Sequence, residues 1–406
     1  MIPFSPPHID QEIIDAVVDT LKSGWITTGP KTKLFEKKIT AFCGNKSTLC
    51  LNSATAGLEI MLRWFGVKEG DEVIVPAYTY CATANVVMHC GAKIVFVDIG
   101  EDFNISENEV RKAITEKTKV IMPVDFGGFP CNYDELNGMV SSPEIRDRFK
   151  ANNDIQKTLG RILVLSDAAH SFGATYKGKR TGTLTDVSVF SFHAVKNLTT
   201  AEGGAVALNL PEPFNNEEVY QQLCIKTLHG QNKDALAKTV PGSWRYDVIE
   251  AGYKMNMTDI MASIGLIELS RYEDEILKKR KHIFDSYSAS FSKYNWAIIP
   301  EYQNSEKETS YHVYALRIKD ASEDQRDRII ANIFEKQVSV NVHFVPVPMM
   351  SFYKSLGYDI SNYPASFAHY KNVITLPVYF DLDDSAVQTV IDAVVNSVNE
   401  IMMQPL

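Results

Sequence analysis

Short apolar runs alternate with amphipathic segments along the first half of the chain. The runs are nearly continuous in Val, Ile and Leu, which is typical of strands buried on both faces. Between them, apolar residues recur three and four positions apart, the spacing of one helix face. Strands are predicted at 47–52, 72–77, 93–99, 119–126, 161–167, 187–192 and 204–209. Helices are predicted at 10–24, 33–44, 53–66, 80–91 and 106–114.

This alternation predicts an α/β fold with a mainly parallel central sheet and helices on both faces. After about residue 250 the pattern changes to a long amphipathic segment, two apolar runs at 312–318 and 340–347, and a final helix at 386–402. A chain of 406 residues is also too long for one ordinary core. We therefore expect a large domain over residues 1-250 and a smaller C-terminal α/β domain over 251-406.

Composition and charge narrow the class of function. The chain has 45% hydrophobic and 22% charged residues, and a net charge of −9 argues against a general nucleic-acid binder. The six cysteines form no CxxC pair and no cluster with His at metal-ligand spacing, so no metal is predicted. The chain shows neither a signal-peptide pattern nor a run of 18 apolar residues. We expect a cytoplasmic protein that does not associate with membranes.

Two charged residues follow predicted strands, where ligands of such sheets gather. Asp167 ends an apolar run, so its carboxylate is either a helix N-cap or the partner of a protonated ring nitrogen. Lys196 lies in a polar turn between two apolar runs. It is either a solvated charge or, with a depressed pKa, an amine nucleophile toward a carbonyl group.

Two further strand ends add an anion site and an aromatic face to the acid and the amine. Ala54 and Thr55 open an amphipathic helix whose free N–H groups form an anion site, or merely an ordinary N-cap. Tyr78 and Tyr80 follow the next strand and offer a stacking face, or else belong to the core. Together, an amine, an acid, an aromatic face and an anion site meet the needs of pyridoxal 5'-phosphate.

The chain resembles the DegT/DnrJ/EryC1/StrS family of sugar aminotransferases. The resemblance runs in order from about residue 3 to residue 385 and is carried by the motifs GWITTGPKTKLFEKK, NSATAGLEI, GDEVIVPAYTY, SDAAHSFGA, FSFHAVKNLTTAEGG and GYKMNMTDI. It implies a PLP-dependent transferase fold of type I. The likeness is greatest to members that aminate carbon 4 of UDP-linked 4-keto sugars, such as the enzymes that make UDP-4-amino-4-deoxy-L-arabinose.

The resemblance assigns roles to the residues around the cofactor. Lys196 would bind its aldehyde covalently and then move a proton between substrate and cofactor carbons, while Asp167 would pair with the ring nitrogen. Ala169 and Tyr80 would pack on the two ring faces, and His170 would lie near the ring hydroxyl. The predicted phosphate ligands are Ala54, Thr55 and Ser191, together with Asn256 from a neighbouring subunit. That last assignment implies a homodimer with shared active sites.

On the substrate side, the resemblance implies glutamate as amino donor, 2-oxoglutarate as its product and a nucleotide-linked keto sugar as acceptor. The predicted substrate contacts are Thr28, Gly29, Pro30, His193, His229 and His343, although His229 and His343 could equally be structural. The expected product is a 4-amino sugar for surface polysaccharide or lipopolysaccharide. Amination at carbon 3 and a non-catalytic PLP-binding regulatory protein are the alternatives. The family's sugar dehydratases carry histidine in place of Lys196, so amine transfer is favoured.

Residues 138–160 exceed the family's usual length in this region. They are polar and charged with weak periodicity, which is typical of a surface helix or loop. An alternative is that they reach the sugar or a partner.

Overall fold

A seven-stranded, mainly parallel sheet lies at the centre of the chain, of which a computed structural model describes residues 1–233 and 245–402. The first nine strands are β1 Ser47–Leu51, β2 Glu72–Pro76, β3 Lys93–Val97, β4 Thr118–Ile121, β5 Leu163–Asp167, β6 Thr175–Tyr176, β7 Lys179–Arg180, β8 Val187–Ser191 and β9 Gly204–Leu208. The central order is β1-β9-β8-β5-β4-β2-β3, and β9 runs antiparallel to both of its neighbours. The predicted mainly parallel sheet is confirmed.

Helices cover both faces of this sheet, as predicted. Their bounds are α1 Gln11–Ser23, α2 Pro30–Cys43, α3 Ala54–Trp64, α4 Cys81–His89, α5 Glu107–Ala113, α6 Tyr133–Ser141, α7 Pro143–Arg148, α8 Asp154–Leu159, α9 Asn216–Thr227, α10 Asp259–Ser270, α11 Lys278–Phe291, α12 Glu323–Glu335, α13 Ser351–Ser355, α14 Pro364–Tyr370 and α15 Asp384–Met402. Val206 packs in the core under α3 and α4, whereas its neighbour Ala205 packs in the core under α2 and α10. Successive side chains of a strand point to opposite faces, so each face needs its own helical cover.

A second core follows in the C-terminal part of the chain. Strands β10 Ala297–Ile298, β12 Tyr314–Ile318 and β13 Val373–Leu376 form an antiparallel sheet that packs with α11, α12 and α15. Strand β11 Lys307–Glu308 pairs instead with β6 of the first half. Helix α10 lies after residue 250 but contacts α1 and α2. The domain boundary at residue 250 therefore stays a prediction.

Residues 138–160 form the end of α6 and the short helices α7 and α8, at the amino end of β5. Most of their side chains are exposed, but Gln156 is fully buried and donates from Nε2 to the carbonyl of Phe65 at 2.9 Å. Asn153 caps α8 and donates to the same carbonyl at 3.0 Å. The segment is thus a mostly exposed surface element that two hydrogen bonds hold to Phe65. It lies at the amino ends of the strands, away from the carboxyl ends that carry the predicted site.

Two other sequence interpretations differ from the structure. Asp167 does not cap a helix, because residues 168–173 form turns. The apolar run 340–347 forms one bridge, between Asn341 and Thr375, and no strand. Pro346 and Pro348 lack the N–H groups that a continuing ladder needs. Among the described residues, no helix combines the length and apolar character needed to cross a bilayer.

The glycine that opens β9 lets the start of α3 approach the sheet. A Cβ atom on Gly204 would lie 2.5 Å from the carbonyl carbon of Ser53 and 2.8 Å from the carbonyl oxygen of Phe190, and would also strike the backbone nitrogen of Ala54. These are backbone atoms that cannot move aside as a flexible side chain can. The N-terminus of α3 can therefore lie this close to the sheet only because residue 204 has no side chain.

We predict opposite effects for two glycine-to-alanine substitutions. Gly204→Ala should lower the free energy of unfolding by about 1–3 kcal/mol, because the new methyl group overpacks a rigid backbone contact. Gly138→Ala, in α6 with no atom within 4 Å of the added carbon, should raise it by about 0.5–1 kcal/mol. Urea unfolding followed by circular dichroism measures both. A Gly204→Ala protein as stable as the wild type would contradict the close approach.

Candidate active site

One cavity of about 360 Å³ lies at the carboxyl ends of the central strands and collects most of the predicted site residues. It is lined by Ala54, Thr55, Tyr80, Asp167, Ala169, His170, Ser191, His193, Lys196 and His343. These residues lie at or just after the carboxyl ends of β1, β2, β5 and β8, except for His343, which comes from the C-terminal part. The parallel strand direction explains their convergence, because parallel strands end at the same edge of a sheet.

Lys196 lies in the turn between β8 and β9. The turn is closed by a hydrogen bond from its own N–H to the carbonyl of His193 at 2.9 Å. Desolvation of the ammonium lowers the pKa of Lys196 to about 8, while attraction by Asp167 opposes that shift. A sizeable fraction of the side chain is therefore a neutral amine near pH 8, the form that attacks carbonyl carbons.

Asp167 ends β5 with its side chain buried. Oδ2 accepts a hydrogen bond from the hydroxyl of Thr83 at 2.8 Å, and Oδ1 accepts one from the N–H of Ala169 at 3.2 Å. Burial raises the pKa of the Asp167 carboxyl, and these two donors and Lys196 hold the rise down. Two neutral donors fix the carboxylate in place, and they offset only part of the cost of burying its charge. A cation bound against it would therefore be strongly favoured.

His170 faces the cavity with a polar atom left unsatisfied. Its Nδ1 is buried and has no hydrogen-bond partner among residues 1–233 and 245–402. Desolvation lowers the pKa of His170 well below its ordinary value, so the ring is neutral. A buried nitrogen without a partner costs free energy, and a ligand hydroxyl placed beside it would remove that cost.

The start of α3 presents free N–H groups beside these side chains. The hydroxyl of Ser53 accepts the N–H of Ala56 at 3.1 Å, so the ordinary N-cap interpretation is right for Ser53. Ala54 and Thr55, the first two helical residues, have N–H groups without an intrahelical acceptor, and both line the cavity together with the Ser191 side chain. The Ser53 cap therefore leaves the first N–H groups of the helix free, and such groups suit an anion.

An aromatic surface closes the cavity near its mouth. Tyr80 is 59% exposed, and its ring lies 5.8 Å from the ring of Phe344. Tyr78, the other tyrosine of this motif, is fully buried and donates its hydroxyl to the carbonyl of His343 at 2.6 Å. The core interpretation is therefore right for Tyr78, whereas Tyr80 is available to a flat ring.

Five of the predicted residues lie outside this cavity. Asn256 donates from Nδ2 to the hydroxyl of Thr28 at 2.6 Å, and the N–H of Gly29 donates to Asp259 at 2.8 Å. Pro30 follows as the first residue of α2. Thr28, Gly29, Pro30 and Asn256 thus form one cluster, which we call the Thr28 cluster. His229 lies apart from it and donates its N–H to the carbonyl of Tyr253 at 2.8 Å.

Sequence reasoning missed a group that ties the Lys196 turn to the C-terminal part. Asn197 donates from Nδ2 to the carbonyl of Ser310 at 2.6 Å, and its Oδ1 lies 2.8 Å from Nδ1 of His312. The His312 ring lines the cavity, 4.4 Å from the ring of His170. In the sequence, His312 stands out only as the first residue of an apolar run. A histidine just before a predicted buried strand is the sequence pattern that could have indicated this contact.

Thr83 was also missed, although it lies one turn after Tyr80. Its hydroxyl bridges Asp167 and the hydroxyl of Thr79, at 2.8 Å from each. A threonine in the first turn of the helix that follows a strand end could have suggested this contact.

The described groups fit pyridoxal 5'-phosphate. An amine with a lowered pKa, a fixed carboxylate that lacks a cation, an unsatisfied ring nitrogen and a helix N-terminus all face one space. These match the aldehyde, the ring nitrogen, the ring hydroxyl and the phosphate of that cofactor. Fold and cavity thus define the class of PLP-dependent enzymes of fold type I.

The chain belongs to the DegT/DnrJ/EryC1/StrS aminotransferase family. The family's sequence profile matches residues 7–146 and 148–395. The members are PLP-dependent sugar aminotransferases, which confirms the predicted family, the cofactor and the enzyme class.

Named relatives match over nearly their whole length. The PMP form of Spr1654, a protein assigned as a sugar aminotransferase from Streptococcus pneumoniae, has 46% identity and a TM-score of 0.95, with 99% of this chain and 100% of that chain covered. The spore coat polysaccharide biosynthesis protein SpsC of Bacillus subtilis is 36% identical over 97% of this chain and 96% of its own. Helicobacter pylori PseC, an aminotransferase involved in the biosynthesis of pseudoaminic acid, has 26% identity and a TM-score of 0.86, with 98% and 99% covered.

We predict that Lys196 in the cofactor-free protein reacts with an amine-selective reagent along a shifted pH profile. Its modification rate should rise through a midpoint near pH 8, below the ordinary lysine value of about 10.4. Because Asp167 attracts the ammonium and so raises its pKa, Asp167→Asn should move the midpoint further down. Peptide mass spectrometry over a pH series measures the wild type and the variant. A midpoint at the ordinary lysine value would contradict the desolvation of the Lys196 amine.

Proposed function

We propose that the protein transfers an amino group from glutamate to a UDP-linked 4-keto sugar, with a 4-amino sugar for a surface glycan as product. The observation that carries this proposal is the cavity itself. Lys196 and Asp167 line it together with the unsatisfied ring of His170, beside the free N–H groups of α3.

The bound cofactor would act as a sink for the electron pair left when a proton leaves the substrate carbon. Lys196 then serves as base and acid, because its amine is neutral in part near pH 8 and the turn holds it in the cavity. It removes the proton from the α-carbon of glutamate and, in the second half of the cycle, delivers a proton to carbon 4 of the sugar. A single group can do both because the two substrates use the same cavity in turn.

Asp167 and His170 would hold the cofactor ring in its reactive state. The Asp167 carboxylate is fixed by Thr83 and the Ala169 N–H, and it would keep a proton on the ring nitrogen. Neutral His170 is placed to hydrogen-bond the ring hydroxyl through its free Nδ1. Ala169 and Tyr80 would flank the ring, and the first N–H groups of α3 and the hydroxyl of Ser191 would bind the phosphate.

On the substrate side, His193 and His343 line the same cavity. Desolvation lowers the pKa of His343 to about 4, so it meets the sugar as a neutral hydrogen-bonding ring. His193 is half-exposed and lies 3.7 Å from Glu202, at a position suited to a group that leaves the cavity toward solvent. These two histidines are the proposed sugar contacts of the chain.

The Thr28 cluster supports the proposal of a homodimer. Asn256 bonds Thr28 and Gly29 bonds Asp259, yet no member of the cluster lines the cavity of its own chain. If the cluster completes the neighbour's cavity, Asn256 reaches the phosphate and Thr28 the sugar across the interface. His229 stays a proposed nucleotide contact on the resemblance alone.

The surface-glycan role draws its support from two relatives. SpsC takes its name from spore coat polysaccharide biosynthesis, and PseC acts in the biosynthesis of pseudoaminic acid. UDP as the carrier and carbon 4 as the site of amination rest on the resemblance of the motifs around Thr28, Ser53 and Lys196.

We predict that Lys196→Ala lowers turnover by about 10²–10⁴-fold, since it removes the proton-transfer group. The purified wild type should be yellow and lose that colour when glutamate is added, whereas the variant should show no such change. Absorbance spectra and product mass spectrometry check this result. Lys354→Ala, on the surface, is the matched control. A Lys196→Ala enzyme that aminates sugar at the wild-type rate would disprove the role of Lys196.

A substrate panel tests the sugar and the carrier. We expect amination at carbon 4 with UDP-linked 4-keto sugars, and weaker turnover with the dTDP- and GDP-linked analogues. Mass spectrometry gives the mass gain, and nuclear magnetic resonance assigns the carbon. Turnover restricted to 3-keto sugars would favour amination at carbon 3. Cofactor binding without turnover of any member of the panel would favour the regulatory alternative.

A further inference from the structure

The ring of His312 reaches the active-site cavity from the C-terminal part of the chain, and the proposed function gives it no role. The residue is 9% exposed, lies two positions before β12 and lines the cavity. The centroid of its ring lies 4.4 Å from that of His170. Because His170 is assigned to the ring hydroxyl of the cofactor, His312 is available to the substrate.

One hydrogen bond fixes which ring nitrogen of His312 carries the proton. Asn197 donates from Nδ2 to the carbonyl of Ser310 at 2.6 Å, which turns its Oδ1 toward His312. That oxygen lies 2.8 Å from Nδ1 of His312 and can only accept, so we assign the proton to Nδ1. Desolvation lowers the pKa of His312 well below its ordinary value, so the ring is neutral. Nε2 therefore keeps a lone pair and acts as a hydrogen-bond acceptor.

The backbone that carries this ring is held from several sides. Arg280 is 3% exposed and donates to the carbonyls of Tyr311 and His312, at 2.8 and 2.9 Å. The N–H of His312 donates to the carbonyl of Gly127 at 3.2 Å. Tyr311 has a φ of 57°, a left-handed conformation that residues with a side chain rarely adopt. Such a conformation persists only where the surrounding contacts hold it, so the protein itself fixes the place of the ring.

An acceptor at this place suits only one of the two proposed substrates. Both carboxylates of glutamate are themselves acceptors, and its amino group is the group that is transferred. A sugar instead carries hydroxyl groups, which can donate to a ring nitrogen. The lone pair of His312 can therefore hydrogen-bond the sugar, whereas it offers nothing to the carboxylates of the amino donor.

The neighbours of His312 indicate which part of the sugar is within reach. The ring lies beside His170, and Asn197 connects it to the residue that follows Lys196 along the cavity wall. Both neighbours belong to the reaction centre, so the sugar hydroxyl nearest to the reacting carbon is the one that meets His312. In the ring of a 4-keto sugar, carbon 5 is bonded to the ring oxygen and carries no hydroxyl, which leaves the hydroxyl on carbon 3.

We propose that Nε2 of His312 accepts a hydrogen bond from the sugar hydroxyl next to the keto carbon, which is the carbon 3 hydroxyl of a 4-keto sugar. His312 is then a specificity-determining residue for the sugar half of the cycle. This assignment rests on the proposed function, because it needs a keto sugar as the amino acceptor. The contact would favour sugars that carry this hydroxyl over those that lack it.

The two half-reactions of the holoenzyme test the proposal in the variant His312→Asn. The new amide N–H can take the place of Nδ1 and keep the Asn197 contact, but no atom replaces Nε2. With a UDP-linked 4-keto sugar, the variant should lose about tenfold in kcat/KM for amine transfer to the sugar, the effect of one neutral hydrogen bond. The rate at which glutamate removes the yellow colour should stay within about twofold of the wild-type rate. Stopped-flow absorbance measures both steps, and Lys354→Ala, exposed on α13, is the matched control.

A deoxy substrate separates this contact from a structural role of His312. The wild type should lose about tenfold in kcat/KM with the UDP-linked 3-deoxy-4-keto sugar, whereas His312→Asn should convert this analogue and its parent alike. The wild-type comparison needs no variant, so a misfolded His312→Asn protein does not remove the test.

Three outcomes would overturn the proposal. The first is a wild type that converts the 3-deoxy analogue and its parent equally well. The second is a His312→Asn protein that slows the glutamate and sugar steps by the same factor, since this would mean that the ring only positions the Lys196 turn. The third is a wild type that reacts with glutamate but aminates no keto sugar, and this result alone would overturn the proposed function as well.

Discussion

Asp167 and Lys196 attract each other inside a cavity where burial disfavours both of their charges. Desolvation raises the pKa of the carboxyl and lowers that of the amine to about 8, so burial makes the charged form of each group less favourable than it is in water. Thr83 and the Ala169 N–H fix the carboxylate, and Asn197 fixes the turn of the amine. A cofactor that offers a ring cation to the acid and an aldehyde to the amine relieves both strains at once. The chemistry of the family depends on this pairing.

Two parts of the chain line the cavity that holds the Asp167–Lys196 pair. The large sheet supplies both reactive groups, whereas the C-terminal part supplies His312 and His343. Hydrogen bonds from Asn197 to Ser310 and His312 connect the two parts directly behind the amine. Sites between domains can adjust to substrates of different shape, and a transaminase must accept two substrates in turn.

The charge close to a site matters more for anion binding than the net charge of the protein. The chain carries −9 overall, yet the first N–H groups of α3 face the active-site cavity. An acidic protein can thus offer an anion a favourable local field, because binding responds to the field within a few ångströms.

The sequence by itself determined the seven strands of the central sheet, the helices between its first strands and the family, since these depend on spacing along the chain. Apolar runs predict β5 and β8, and the strand direction predicts that Asp167 and Lys196 meet at one edge. The same reasoning could not decide that Thr28 lies away from the cavity of its own chain, or that His312 lies 4.4 Å from His170. Those contacts join residues far apart in the chain, and only the packing of two cores against each other brings such residues together.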